Sequence, residues 1–418
     1  MAAVHDPQIL HDLKRPRVRP ADSCGPLAII ETHPVQYHAP VYRELQSNLG
    51  VPVTAIYGSD FSVAGYRDQE FGTSFRWDTD LLSGYSSSYL STVAAGGARR
   101  AGAVPARGVR AALRAAEPAA ILLTGYSPSF YRSAWIAALR PRRPLLLRAE
   151  TTDHARSRGA AHEWVRTVAL RLLYRSCARL LYVGQRSRNH FRRLGVPENK
   201  LVFSPYCVDV AAFDCGEEAR TRLRQTTRDR LSVRDTDSVI LFSGKLSPRK
   251  APDLLLRAVR SLPSEIRSRL AVVFLGSGEL QSALEQMAAA SPAVGARFLG
   301  FQNQTQLSPY YHAADLLALP SLHSETWGLV VNEGLHHGLP CVVSDAVGCA
   351  PDLIEPGGTG ELAATGSVES LAAALHRALI LVGRPDIRAR CRERVSGYTV
   401  GKAAAGIAQA YWAVVKRQ

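Results

Sequence analysis

Short apolar runs alternate with helix-patterned stretches along most of the chain, and they do so in two series. The first series is 27–31, 51–57, 120–124, 144–148 and 180–183, with amphipathic segments such as 41–49 and 108–116 between. The second begins after Arg234, at 239–242, 271–275, 296–299, 316–319 and 340–343. Its intervening helical stretches lie at 252–261, 279–290, 308–313 and 327–337. Strands joined through helices run parallel, and a parallel sheet is covered by helices on both faces. The pattern predicts an α/β protein of two doubly wound, Rossmann-like domains facing a central cleft. The stretch 209–237 is polar and rich in Arg, Asp and Thr, and is expected as the linker. That leaves a first domain over 23–208 and a second over 238–395. Residues 396–418 close with an Ala-rich amphipathic segment carrying Tyr411 and Trp412, expected to dock back on the first domain. Residues 1–22 are polar, with Lys14, Arg15, Arg17 and Arg19, and are expected to be a mobile tail.

Ligands of such sheets bind at the carboxyl ends of the strands, so the loops there carry the functional signal. The run 239–242 leads into Ser243, Gly244, Lys245, Leu246, Ser247, Pro248, Arg249 and Lys250, with Pro252 opening a helix. A strand end, a glycine, two lysines five apart and a helix N-terminus together make an anion site suited to a diphosphate. The next strand ends in Gly276, Ser277 and Gly278, a second tight turn before a helix. The third segment is Glu325-Thr326-Trp327-Gly328-Leu329-Val330-Val331-Asn332-Glu333-Gly334, then Gly338-Leu339-Pro340. With a helix starting near Trp327, Glu325 and Glu333 both face the strand edge, and the amides of Gly328, Leu329 and Val330 are free first-turn donors. Carboxylates beside an anion site suit neutral hydroxyls, such as those of ribose and sugars.

These motifs, in this order over about 239–362, resemble the retaining family-4 glycosyltransferases of the GT-B fold. The shared elements are the Glu-x7-Glu spacing before Gly-x-Pro, the basic pair five apart, and the Gly-rich turn between. Gly357-Gly358-Thr359-Gly360 resembles the family's later Gly-rich segment. The resemblance implies transfer of a sugar from a nucleotide-diphosphate sugar, most commonly a UDP-sugar, to an acceptor hydroxyl, with retention and without a required metal. By position, Lys245 and Lys250 would bind the diphosphate, Glu333 the ribose, and Glu325 would sit near the transferred sugar. Gly244, Gly276, Ser277, Trp327, Gly328, Leu329 and Val330 would complete the donor site, and Phe301 and Gln302 would lie near the base. Lys245 stands where the family usually has Arg, which keeps the charge and loses the bidentate fork. In the first half, His33, Gln36 and Tyr37 follow the first strand and are the acceptor-side candidates, while His154, after Asp153, is a further catalytic candidate. The acceptor class stays open among glycans, lipid-linked carriers and small molecules. A GT-B-like epimerase and a non-catalytic binder of anionic surfaces are the alternatives.

Charge and cysteine usage narrow the remaining classes. The net charge is +15, yet no base-stacking aromatic pattern or nucleic-acid-binding signature accompanies it, so nucleic acid is not an expected partner. A solvated surface and peripheral attachment to an anionic membrane remain. Seven cysteines with no Cys-x-x-Cys pair indicate neither a disulfide framework nor a zinc site. With no long apolar span and no signal-like N-terminus, a reducing cytoplasmic setting is expected. The triplets Asp78-Thr79-Asp80 and Asp235-Thr236-Asp237 resemble GT-A metal motifs, but neither ends a nucleotide-binding strand, and both read as turns.

Overall fold

The computed structural model describes residues 24–139, 143–153, 160–211, 213, 215–291 and 295–415, so the tail expected over 1–22 lies outside them. The strands of the first half are β1 (Leu27–Glu31), β2 (Val53–Tyr57), β3 (Tyr66–Arg67), β4 (Ser74–Phe75), β5 (Ser86–Tyr89), β6 (Ala120–Leu123), β7 (Leu145–Ala149), β8 (Arg179–Tyr182) and β9 (Leu201–Phe203). Seven form one parallel sheet in the order β5-β2-β1-β6-β7-β8-β9, while β3 and β4 make a separate antiparallel hairpin. The second half supplies β10 (Ser238–Ser243), β11 (Leu270–Leu275), β12 (Gly295–Phe298), β13 (Leu316–Leu319), β14 (Cys341–Ser344) and β15 (Gly360–Ala363). They form a second parallel sheet, ordered β12-β11-β10-β13-β14-β15. In each sheet the chain winds outward from its first strand and then returns to the other side. The strand order therefore reverses between β1 and β6 and between β10 and β13, and a crevice opens at each reversal.

Alternate residues of the central strands serve opposite faces. Ala28 and Ile30 pack into one core, with Phe130 and Ala134 of the helix Ser129–Ala138. Leu27 and Ile29 pack into the other, with Ile407 and Tyr411 of the helix Val400–Val415. Val239 and Leu241 likewise face away from Ile240 and Phe242 in the second domain. Such two-sided burial explains why these strands read as unbroken apolar runs. Edge strand β5, with three exposed serines, carries no such run and is absent from the sequence reading, as is the short β9.

The stretch 209–237 holds a helix, Glu217–Arg230, that packs on the second domain. Arg228 is buried there and donates to Asp315 and to the carbonyls of Ala313, Arg234 and Asp237. Arg224 adds a 2.7 Å bond to Asp315. A buried guanidinium is tolerable because both of its terminal nitrogens have acceptors, and only Nε lacks one.

The helix Val400–Val415 lies on the first sheet. Tyr411 Oη donates to the Gly25 carbonyl at 2.6 Å, and Ser204 Oγ to that of Ala403 at 2.9 Å. At Gly406 an added Cβ would stand 2.0 Å from the Phe203 carbonyl oxygen. Gly406→Ala should therefore cost about 1–3 kcal/mol, the usual cost of overpacking. Gly401→Ala, in the same helix with nothing within 4 Å, should be neutral or stabilising. Thermal and chemical unfolding of the two variants checks the contrast.

Candidate functional site

The crevice of the second sheet is built from glycine turns in contact. Gly276, at φ 139°, lies so close to the loop after β10 that a Cβ would be 1.9 Å from the Gly244 carbonyl oxygen. The Gly244 amide bonds to Leu275 and the Leu246 amide to Ser277. These turns hold the loop carrying Lys245, Arg249 and Lys250 against the strand ends. Ser277 contributes its carbonyl to this scaffold and does not line the cavity that the loops enclose.

That cavity, of about 110 Å³, lies between the domains. Its walls bring together Gly244, Gly276, Phe301, Gln302, Val330 and Glu333 from the second domain and Gln36 and Tyr37 from the loop after β1. Glu333 is buried and accepts hydrogen bonds from Tyr311 Oη at 2.6 Å and Gln304 Nε2 at 3.4 Å. Burial pushes its carboxyl above the usual range, although both bonds pull the other way. The helix that presents it, Leu329–His336, begins two residues later than the sequence suggests. Gly328 is its N-cap, in the left-handed region at φ 100°, and the first-turn amides of Leu329 and Val330 are left for a ligand.

Trp327 does not reach the cavity. Its ring is buried between Tyr206 and Tyr398, its indole N–H donates to Asn332 at 2.8 Å, and it fills the space above Gly184 of the first domain. It is an interdomain packing residue. His33 lines a neighbouring cavity of about 320 Å³ with Asp68, Glu70 and Lys245, stacked 4.3 Å from Phe61. Burial lowers its imidazole to about 4, so it is neutral at pH 7. The acceptor-side trio is thus divided between two cavities. His154 lies outside the described residues. Asp153, its neighbour, is locked by Arg193 at 2.6 and 2.7 Å and by His190 at 2.7 Å.

Each cation of the basic loop is already paired. Lys250 Nζ binds Glu325, which also accepts from Ser321 Oγ at 3.0 Å. Burial raises the Glu325 carboxyl, but Lys250 and Arg249 outweigh that and hold it low. Lys245 Nζ lies 3.0 Å from Asp68 and 3.1 Å from Glu70, and Arg249 lies 3.0 Å from Glu70. Asp68 and Glu70 belong to the β3–β4 hairpin of the first domain, which reaches across the cleft. Its Phe75 stacks on Phe301 at 4.3 Å, and Asn303 Nδ2 donates to the Arg76 carbonyl at 2.8 Å. The hairpin carries no helical or strand-like periodicity, and its partners lie over 170 residues away, so the sequence reading missed it. Arg249 likewise carries no sequence signal of its own, since its partner Glu70 lies in that hairpin. Glu150, at the end of β7, was missed too, although a charged residue closing an apolar run is a readable signal; it accepts from Thr326 Oγ1 across the cleft at 2.8 Å. Asp78 and Asp80 are engaged with Thr305 and with the amides of Leu82 and Ser83. Among the described residues no three His, Cys, Asp or Glu side chains converge as a metal site.

Residues 224–395 match the family Glycosyl transferases group 1. A D-inositol 3-phosphate glycosyltransferase of Mycobacterium marinum is 36% identical over 172 residues, 40% of this chain and 34% of that protein. The enzyme of that name from Actinosynnema mirum is 34% identical over 213 residues, 49% of this chain and 48% of that protein. The chain thus spans less than half the length of these two curated relatives. A solved glycosyltransferase from Rickettsia africae superposes with a TM-score of 0.69 at 13% identity, covering 95% of this chain and 100% of that one. Anabaena HepE, solved in complex with UDP and glucose, gives 0.65 at 16%, covering 93% and 100%. The fold is GT-B. In this GT-B chain both crevices open onto the interdomain cleft, and the basic loop stands between them.

An anion entering this site must take Lys245 and Arg249 from the hairpin. Burial opposes ionisation of Glu70, but hydrogen bonds from Arg249 and Lys245 pull it down to about 2. A carboxyl so lowered keeps its stabilising contact above the ordinary carboxylate range and loses it only as pH falls toward that value. These pairs are partly solvent-exposed and individually weak. Asp68→Asn with Glu70→Gln should therefore tighten pyrophosphate binding about threefold to tenfold. The effect should persist across neutral and mildly acidic pH. Calorimetric titration decides it: unchanged or weaker binding would mean that the acids do not compete with the anion.

Proposed function

We propose that the chain is a glycosyltransferase that moves a sugar from a nucleotide-diphosphate sugar to an acceptor hydroxyl, with retention of anomeric configuration. The observation that carries this reading is the cluster Lys245, Arg249 and Lys250 beside a cavity walled by buried Glu333 at the strand-order reversal of the second sheet. A diphosphate fits the cations and the first-turn amides, and ribose hydroxyls fit a carboxylate that already accepts from Tyr311 and Gln304. Phe301, now covered by Phe75, offers a ring face for a base. UDP is the proposed nucleotide, supported by HepE, whose solved complex contains UDP.

In the reaction the bond between the anomeric carbon and the diphosphate oxygen breaks, and its electron pair leaves with the diphosphate. Lys245, Lys250 and the Leu329–Val330 amides stabilise the growing charge, the role a divalent cation takes elsewhere. The acceptor hydroxyl attacks on the face just vacated, and its proton passes to the departing phosphate oxygen. The loop of Gln36 and Tyr37 is the first-domain wall against which the acceptor is presented. With seven free cysteines, the chain suits a reducing cytoplasm.

Titration with nucleoside diphosphates, followed by turnover with the matching nucleotide sugars, tests the proposal. UDP should bind the parent, and Glu333→Ala should abolish binding. Lys250→Ala combined with Glu325→Gln, which avoids a buried unpaired carboxylate, should lower turnover about 100-fold or more. Near-normal turnover in a folded double variant would sink the assignment.

A further inference from the structure

We propose that the outer face of the first domain, formed by the helices Ser129–Ala138 and Ala160–Ser176, is a docking surface for an anionic lipid bilayer. The second helix buries Leu170, Leu173 and Tyr174 in the domain core, as a surface helix should. Its opposite side, which should be polar, is apolar as well. Trp164 is 69% exposed and Leu172 55%, with Val165 and Val168 also open. Positions 164, 168 and 172 fall four apart and form one stripe. The first helix extends it with Ile136, 57% exposed, and Leu139 beyond its end. Trp135 Nε1 donates to Ser176 Oγ at 2.9 Å and ties the helices together. A monomeric soluble protein rarely leaves so many large apolar side chains contiguous and bare.

Charge selects the partner. Where the two helices end, a cavity of about 570 Å³ is lined by Arg143, Arg175, Arg179 and Lys200 next to Leu139, and among the described residues no carboxylate lines it. Lys200 spends part of its donor capacity on the carbonyls of Arg175 and Cys177, while Arg143 and Arg175 have no acidic partner among the described residues. Arg132 and Arg171 are exposed on the same two helices. A tryptophan and aliphatic stripe bordered by arginines is the composition of a helix lying in the interface of an anionic membrane. A second copy related by a two-fold axis would set these cations against their own kind, and a nucleic acid would leave the stripe uncovered. Among the described residues no helix is long and apolar enough to cross a membrane, so the contact is peripheral. The docking surface is separate from the donor cavity and does not depend on the reading of that site.

Co-sedimentation of the full chain with vesicles of phosphatidylglycerol and phosphatidylcholine, against phosphatidylcholine alone, tests the proposal. The parent should sediment with the anionic vesicles, and added salt should release it. Trp164→Glu with Leu172→Glu should abolish binding, and Arg143→Ala with Arg175→Ala should weaken it about fivefold per charge removed. Replacing Trp164 by Phe should remove a blue-shifted component of the fluorescence seen with vesicles. Indifference to lipid charge, or sedimentation unaltered in the variants, would overturn the proposal. So would a parent dimer that Trp164→Glu converts to monomer, since a second copy would then cover the face. UDP binding, measured on the same samples, reports the donor site alone and keeps the two readings separable.

Discussion

Three cations on one short loop cannot be set beside a half-buried cavity without counter-charge, and meeting that demand draws the two domains together. Glu325 answers Lys250 from within the second domain, while Asp68 and Glu70 answer Lys245 and Arg249 from the first. The β3–β4 hairpin is therefore an electrostatic strap, reinforced by aromatic contact on Phe301. Its hold is made of the kind of group an incoming diphosphate would supply, so closure and occupancy are linked through the same lysine and arginine. Asp68 is suited to this because one oxygen caps the hairpin turn, at the Glu70 and Phe71 amides, while the other faces Lys245.

The two sheets share one winding order, and the consequence is geometric. Each sheet opens its crevice beside its first strand, and the two crevices meet at the cleft. The loop after β1 delivers Gln36 and Tyr37 to the same cavity that the loops after β10 and β11 floor with glycine. Packing, more than ligand contact, accounts for several of the glycines there: Gly276 and Gly278 are required by the approach of neighbouring backbone.

What the sequence made legible follows from which forces are local. Strands buried on both faces announce themselves, and so do the loops that follow them. Lys245, Lys250, Glu325, Phe301 and Glu333 could all be read from spacing within one domain or from resemblance. The contacts of Asp68 and Glu70 depend on how two domains meet, and no periodicity encodes that. Edge strand β5 is mostly exposed serine and left no apolar trace. Trp327 shows the opposite failure: it sits inside a recognisable motif, yet its indole is needed for packing against Tyr206 and Gly184. The polar stretch before β10 held a helix because Arg224 and Arg228 find their acceptors only in the assembled second domain.

The return of the helix Val400–Val415 to the first sheet has a further meaning for how the chain is made. Leu27 and Ile29 are among the earliest described residues to emerge in synthesis, and the side chains that cover them, Ile407 and Tyr411, are among the last. The first domain is thus discontinuous in sequence. While the whole second domain is synthesised and folds, one face of the first sheet has the helix Ala39–Ser47 on it but not yet its last helix. The second domain, by contrast, is continuous and can close its own core on the way. No single cut between the two would release both as intact units, because the chain crosses from one to the other twice.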